Sequence, residues 1–319
     1  MTLASAEVRP DVSVVIPCYN EEANAANICA AAITQLEKAA VSFEIIFIDN
    51  DSSDATADII KQICAVDPRV KLIVNSRNFG QMRSPTHAIY QTTGRAVIGL
   101  CADFQDPPEL IPEFIKRWRL GADIVLGVRN SERVGLLHRA LRAASYWLSR
   151  NFSDYQTIPQ ATGFGLYTAR VIGATRQLIE PEPFFRGLLV ETGFRIETVP
   201  YDRPPRAGGV SKNNFFSLFD FAMSALAGSS RKLLRVPMYV GAFGILMSFI
   251  MLLGGTIAWA SDRPIASWLI AAVVQFELGL LFMFVGLIGD NMRLMAERTR
   301  RTPLVVERER INFSSKSDA

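Results

Sequence analysis

Ala96-Val97-Ile98-Gly99-Leu100 is a short apolar run, followed at once by Cys101-Ala102-Asp103-Phe104-Gln105-Asp106-Pro107-Pro108-Glu109-Leu110. The first five residues read as a buried strand, and the paired prolines stop the chain from continuing it. Carboxylates at the C-terminal edge of a central strand stand where an α/β protein places a ligand or a metal. One position is out of keeping. A thiol, Cys101, occupies a place where an oxygen would serve such a cluster better.

Outward from that run, strands and helices alternate. Val12–Ile16, Phe43–Ile48, Val70–Val74 and Ala96–Leu100 read as strands, and Glu21–Ala39, Asp54–Ala65 and Gln81–Gln91 as the helices between them, the first with Asn20 as its cap. A helix from Pro112 to Leu120 and a strand over Asp123–Val128 follow, then a basic amphipathic stretch over 134–152. This spacing predicts parallel βαβ units with right-handed crossovers. The fold class expected is therefore α/β, a mostly parallel sheet with helices on both faces.

The chain has 319 residues, 49% of them apolar, and a formal net charge of +3. That charge is too small to imply nucleic-acid binding. A mean hydropathy of +0.18 fits a soluble part joined to a membrane part. Cys18, Cys29, Cys64 and Cys101 lie in or beside apolar segments, as thiols do in a reducing compartment. Residues 1–10 lack the apolar core of a signal peptide.

Composition changes near residue 236. Residues 236–259 and 266–288 are apolar, and each is long enough to cross a ~30 Å hydrocarbon core. Arg231, Lys232 and Arg235 precede the pair, and Arg293, Arg298, Arg300 and Arg301 follow it. The short turn between them is nearly neutral, so the expectation is a two-pass hairpin in the inner membrane, with both termini and the catalytic part on the cytoplasmic side. A pair of buried helices is the bland alternative. The organisation read is a tail (1–10), a catalytic domain (11–213), a juxtamembrane segment (214–235), the two spans (236–290) and a basic tail (291–319). Phe215–Ala227 suits an interfacial helix or an ordinary packing helix equally well. Gly279, Gly286 and Gly289 permit close helix approach and hence a homo-oligomer, and Glu277 is read as a packing contact. His87 and His138 are read as structural or surface residues.

Polar groups end four successive strands: Pro17-Cys18-Tyr19-Asn20-Glu21-Glu22, Asp49-Asn50-Asp51-Ser52-Ser53-Asp54, Asn75-Ser76-Arg77-Asn78-Phe79-Gly80 and the decapeptide above. Parallel strands gather such ends into one crevice. The ordered set resembles the family-2 glycosyltransferases of GT-A fold. Together with the C-terminal apolar pair, it is similar to the polyprenyl-phosphate glycosyltransferases, the dolichyl-phosphate mannose synthase-like group.

The resemblance implies an inverting transfer of a sugar from a UDP- or GDP-linked donor to a polyprenyl phosphate. It implies Asp103 and Gln105 as ligands of Mg²⁺ or Mn²⁺, with Asp49 reading the base. Pro17, Tyr19 and Glu21 would line the nucleotide pocket, with Arg77 and Asn78 nearby. For Asp49 and Glu21, helix capping or a solvated loop charge stays open. Acceptor phosphate would be held by Arg129 and Arg133, and by Arg203, Arg206, Ser211 and Lys212 of a basic, Gly-containing loop. That loop would equally attract anionic headgroups. A phosphate monoester is ionised at neutral pH and needs no general base.

Three departures from the family stand out. Cys101 replaces the first acid of a DxD pair, and a thiol is a poor ligand for Mg²⁺. Asn50-Asp51 replaces Asp-Gly. Thr162-Gly163-Phe164-Gly165-Leu166 lacks the carboxylate and guanidinium of a GDFRL-like run. Two rival readings remain: a polysaccharide-chain transferase with a hydroxyl acceptor, and a catalytically silent membrane scaffold.

Overall fold

The computed structural model describes residues 9–130, 158, 160–178, 180, 183–204, scattered positions from 273 to 299, and 303–313. Its centre is four parallel strands, β1 (Val12–Cys18), β2 (Phe43–Asp49), β3 (Val70–Asn75) and β4 (Ala96–Gly99). Every residue of β2 is buried and β1 is buried but for one half-buried position, as continuous apolar runs require when both sheet faces are covered.

Helices α1 (Ala25–Lys38) and α2 (Thr56–Val66) pack on one face, together with α4 (Ile111–Arg119). On the other face lie α3 (Gly80–Tyr90), α5 (Ala169–Gln177) and α6 (Phe185–Glu191). The strand side chains divide accordingly: Val14, Ile16 and Phe47 enter the first core, Val15, Ile46 and Ile48 the second. A buried charge stands near the start of β2. Glu44 accepts from the Ser13 hydroxyl, from Thr93 N (2.8 Å) and from Lys71 Nζ (2.7 Å), and these partners hold its carboxyl below the usual range although burial pushes the other way.

Four further strands complete the sheet: β5 (Ile124–Arg129), β6 (Ala161–Thr168), β7 (Ile196–Tyr201) and β8 (Glu307–Ile311), in the order β7-β5-β6-β4-β1-β2-β3-β8. β6 is antiparallel to β4 and β5, and β8 is antiparallel to β3; the remaining pairs are parallel. The architecture is the expected α/β, mostly parallel sheet clad on both faces. β8 comes from the stretch read as a tail, which thus rejoins the catalytic sheet.

Two expected helix starts are corrected. α1 begins at Ala25, not Glu21, and Asn20 is not its cap. Asn20 takes a left-handed φ of 55°, and its Oδ1 accepts from Ser53 N at 2.8 Å, so residues 19–24 form a loop. α2 begins at Thr56, because Asp54 accepts from Thr56 N and holds the turn that precedes it.

Among the described residues no helix is long and apolar enough to cross a membrane. Residues 236–259 lie outside the described ones, as do 266–288 apart from scattered helical positions such as Glu277. The stretches 134–152 and 215–227 lie outside them too.

Candidate functional site

Because β1 to β4 run parallel, Cys18, Asp49, Asn75 and Gly99 all finish on one edge of the sheet. Two of the loops that leave this edge are laced together. Asn20 N donates to Ser52 Oγ (2.9 Å), Glu21 N to Thr56 Oγ1 (2.8 Å), and Ala55 N to Glu22 Oε2 (3.0 Å). The Glu21 carboxylate is nearly buried and accepts from Asn24 Nδ2 at 2.8 Å, so it braces the entry to α1. Tyr19 is exposed at the rim.

Asp49 is fully buried and receives both the backbone N–H (3.1 Å) and the hydroxyl of Ser52. Burial pushes its carboxyl above the ordinary value, and the Ser52 bonds only partly offset this. Asp51 takes a φ of 65°. Asp is among the residues that tolerate this left-handed conformation, which glycine adopts most freely.

Asn50 does work that a carboxylate could not. Its Nδ2 donates to Asn78 Oδ1 (2.8 Å), while its Oδ1 accepts from Asn75 Nδ2 (2.9 Å) and Phe79 N (2.9 Å). Asn78 therefore shapes the loop after β3, accepting also from Gly80 N at 2.8 Å. Arg77 lies exposed, 4.0 Å over the Phe79 ring.

Past β4, Asp103 accepts from Gln105 N (3.1 Å) in a tight turn with Phe104 at a φ of 58°. The Gln105 side-chain oxygen accepts from Arg203 Nη2. Cys101 is accessible to solvent on one side and crowded by protein on the other, unlike Cys18, Cys29 and Cys64, which are buried. That crowding, with the nearby Asp106 and Asp103 carboxylates, pushes its thiol well above the ordinary value. A protonated thiol is a poor ligand for a hard divalent ion. Among the described residues no three His, Cys, Asp or Glu side chains gather as a metal-binding group. One hard carboxylate, Asp103, fits the mode in which a divalent ion arrives on substrate phosphates and keeps its waters.

The basic part lies further along the edge. β5 and β7 are paired so that Arg129 is opposite Tyr201, and Arg203 follows two residues later. Tyr201 donates to the buried Asp106 (Oδ1, 2.9 Å). Nε of Arg129 and Nε of Arg203 are both buried without a hydrogen-bond partner, as is Oδ2 of Asp106. Buried guanidinium N–H groups left unpaired are costly and call for an acceptor. Arg133, Arg206, Ser211 and Lys212 lie outside the described residues.

The glycines of β6 have structural reasons. A Cβ on Gly165 would be driven into the carbonyl oxygen of Val125, so the strands approach too closely for any side chain. Gly163 has a φ of 95°. Beside it lies Arg186 of α6, whose Nη1 donates to Ala161 O at 2.7 Å and whose Cγ would sit 3.8 Å from a Cβ on Gly163.

The model of glycosyl transferase family 2 matches residues 13–174, which include the C-terminal ends of β1 to β5. The chain belongs to glycosyl transferase family 2. It is 32% identical to an uncharacterized glycosyltransferase of Synechocystis sp. over 298 residues, 92% of this chain and 93% of that one. It is 30% identical to a bactoprenol glucosyl transferase of Shigella phage SfX over 298 residues, 92% and 97% of the two chains. A mannosyltransferase of Pyrobaculum calidifontis, solved with GDP-mannose and Mn²⁺, aligns at 16% identity and a TM-score of 0.44, over 92% of this chain and 86% of that one; this is a distant likeness of fold.

Of the residues singled out in the sequence, the crevice edge collects Tyr19, Glu21, Asp49, Asn78, Asp103, Gln105, Arg129 and Arg203. The structure adds Asn50, Asp106 and Tyr201 to them. Tyr201 lies on β7, a strand whose sequence carries no clean apolar alternation.

Proposed function

We propose that this family-2 glycosyltransferase moves a sugar from a nucleotide-linked donor to a polyprenyl phosphate at the inner face of a membrane. The observation that carries the acceptor half is the pair of buried, unpartnered guanidinium nitrogens of Arg129 and Arg203. They stand on the same sheet edge as Asp49 and Asp103. Arginine matches a phosphate oxygen pair with a fixed fork of donors, so these groups suit a phosphate acceptor. Similarity to a bactoprenol glucosyl transferase of Shigella phage SfX and the apolar stretches 236–259 and 266–288 support a lipid carrier.

The donor half rests on the loops after β1 to β3. Asp49 would receive the base, with Ser52 holding the carboxylate in place. A divalent ion bound with the donor diphosphate would neutralise its growing charge, with Asp103 as the protein ligand. The acceptor phosphate attacks the anomeric carbon from the side opposite the diphosphate, which inverts the centre without a covalent enzyme intermediate. Arg129 and Arg203 hold that phosphate and keep it aligned. No proton needs removing from the nucleophile. A hydroxyl acceptor, by contrast, would need a base.

The test is direct. Full-length protein in detergent is incubated with polyprenyl phosphate and a panel of labelled UDP- and GDP-sugars. A lipid-linked sugar is expected; its absence with every donor sinks the proposal. A silent scaffold would also show no difference between wild type and Asp103→Asn in nucleotide binding.

A further inference from the structure

The segment after the second apolar stretch returns to the catalytic sheet beside the crevice. β8 pairs with the outer side of β3, with Glu307 opposite Asn75 and Ile311 opposite Leu72, so the chain enters β8 from the crevice edge. Its approach is held by several bonds. Ser76 N donates to Val306 O (2.9 Å), and Arg83 donates to Leu304 O (2.8 Å) and Pro303 O (2.9 Å). Within β8, Glu307 meets His87 on α3 and Arg310 on its own strand, and Glu309 meets Lys61 on α2 at 2.6 Å.

Arg308 differs from these neighbours. Its Nη1 lies 3.3 Å from Oδ1 of Asp51, in the loop that Ser52 ties to Asp49, and 55% of its side chain is open to solvent. Its positive field also reaches the Asp49 carboxyl and opposes the effect of burial there. Asp51, Asp54 and Asp103 would otherwise present an acidic rim to an incoming anion. A nucleoside diphosphate carries charge of the same sign and would be repelled. A guanidinium has five donors, so a contact to Asp51 leaves a fork able to meet phosphate or ribose oxygens.

We infer that Arg308 is a donor-binding residue, the cation against which a nucleoside diphosphate settles beside Asp49, so that residues 303–313 form one wall of the donor pocket. The inference rests on the donor half of the proposed function. It gives that pocket a residue 257 positions away in sequence from its partner Asp51.

The experiment is a calorimetric titration of the full-length protein in detergent with UDP and with GDP, without any lipid acceptor. Arg308→Ala is expected to weaken the better nucleotide about tenfold, and Arg308→Lys to recover part of the loss, since charge returns without the fork. Glu309→Ala breaks the Lys61 ion pair of the same strand and is expected to bind as wild type. Unchanged affinity in Arg308→Ala overturns the inference, and so does an equal loss in Glu309→Ala, which would mean that strand docking alone is responsible. A wild-type protein that binds neither nucleotide sinks the donor reading and this inference together. Normal nucleotide binding without lipid-linked product sinks only the acceptor half.

Discussion

The Tyr201 hydroxyl donates a 2.9 Å hydrogen bond to Oδ1 of Asp106, while Oδ2 of that buried carboxylate has no hydrogen-bond partner. Burial, then Asp106, pushes the phenol up to about 12, so it remains a donor throughout the physiological range. Tyr201→Phe would remove the hydroxyl donor from this buried carboxylate. A loss of about 1–3 kcal/mol in unfolding free energy is expected, read from urea denaturation. Because Tyr201 adjoins Arg129 across β5 and β7, transfer activity should fall in the same variant; an unaltered midpoint would show that Asp106 is satisfied in some other way.

Cys101 is the one described cysteine open to reagent, yet its thiol is pushed above the ordinary value. Alkylation of the native protein at pH 8 should therefore proceed more slowly than for a free cysteine, and accelerate at higher pH. Replacement by Asp would put a second hard oxygen near Asp103. Cys101→Asp should then reach half-maximal activity at a lower Mg²⁺ concentration, whereas Asp103→Asn should lose about 100-fold in turnover. Equal ion dependence in wild type and Cys101→Asp would argue against Asp103 as the ion's protein ligand.

The two glycines of β6 should respond differently to alanine. At Gly165 the added methyl meets the Val125 backbone, which cannot move aside without parting β5 from β6. More than about 3 kcal/mol of stability should be lost. At Gly163 there is room, and the cost is that of a left-handed φ, about 1–2 kcal/mol. Thermal melting of the two variants distinguishes them; similar melting temperatures would contradict the close approach.

Acid should weaken the attachment of β8. Burial alone would raise the Glu307 carboxyl, but bonds from His87 and Arg310 bring it down to about 2. A carboxyl depressed in the folded state contributes stability that is complete above its unfolded value near 4.5 and disappears as pH falls toward 2. Glu307→Gln should flatten the fall in stability between those limits, measured by denaturant midpoints across the pH series. An identical pH profile in the variant would remove Glu307 from the account.

The legible part of the fold was the part that repeats simply. β1 to β4 are near-continuous apolar runs because both faces are covered, and their turn residues mark where each ends. β6 was hidden because Gly163 and Gly165 interrupt its apolar pattern for reasons of backbone approach. β7 alternates polar residues at a sheet edge, and β8 reads Glu-Arg-Glu-Arg-Ile, as charged as a solvated tail. The site divides in the same way. Asp49, Asp103, Arg129 and Arg203 are marked by motifs and flanking strands. Asn50 looked like a defect in a motif, yet its amide both donates and accepts in a way that a carboxylate does not. Arg308 carries no local signal, since only the pairing of β8 with β3 brings it near Asp51.

The position of β8 also bears on how the protein is made. β3 emerges from the ribosome roughly 230 residues before the strand that covers its outer side. At ~5–20 residues per second, this open edge persists for about 10–50 s. Throughout that interval β3 presents unpaired N–H and C=O groups to any passing extended chain. Biosynthesis of this transferase thus carries a window of vulnerability that closes only when β8 arrives.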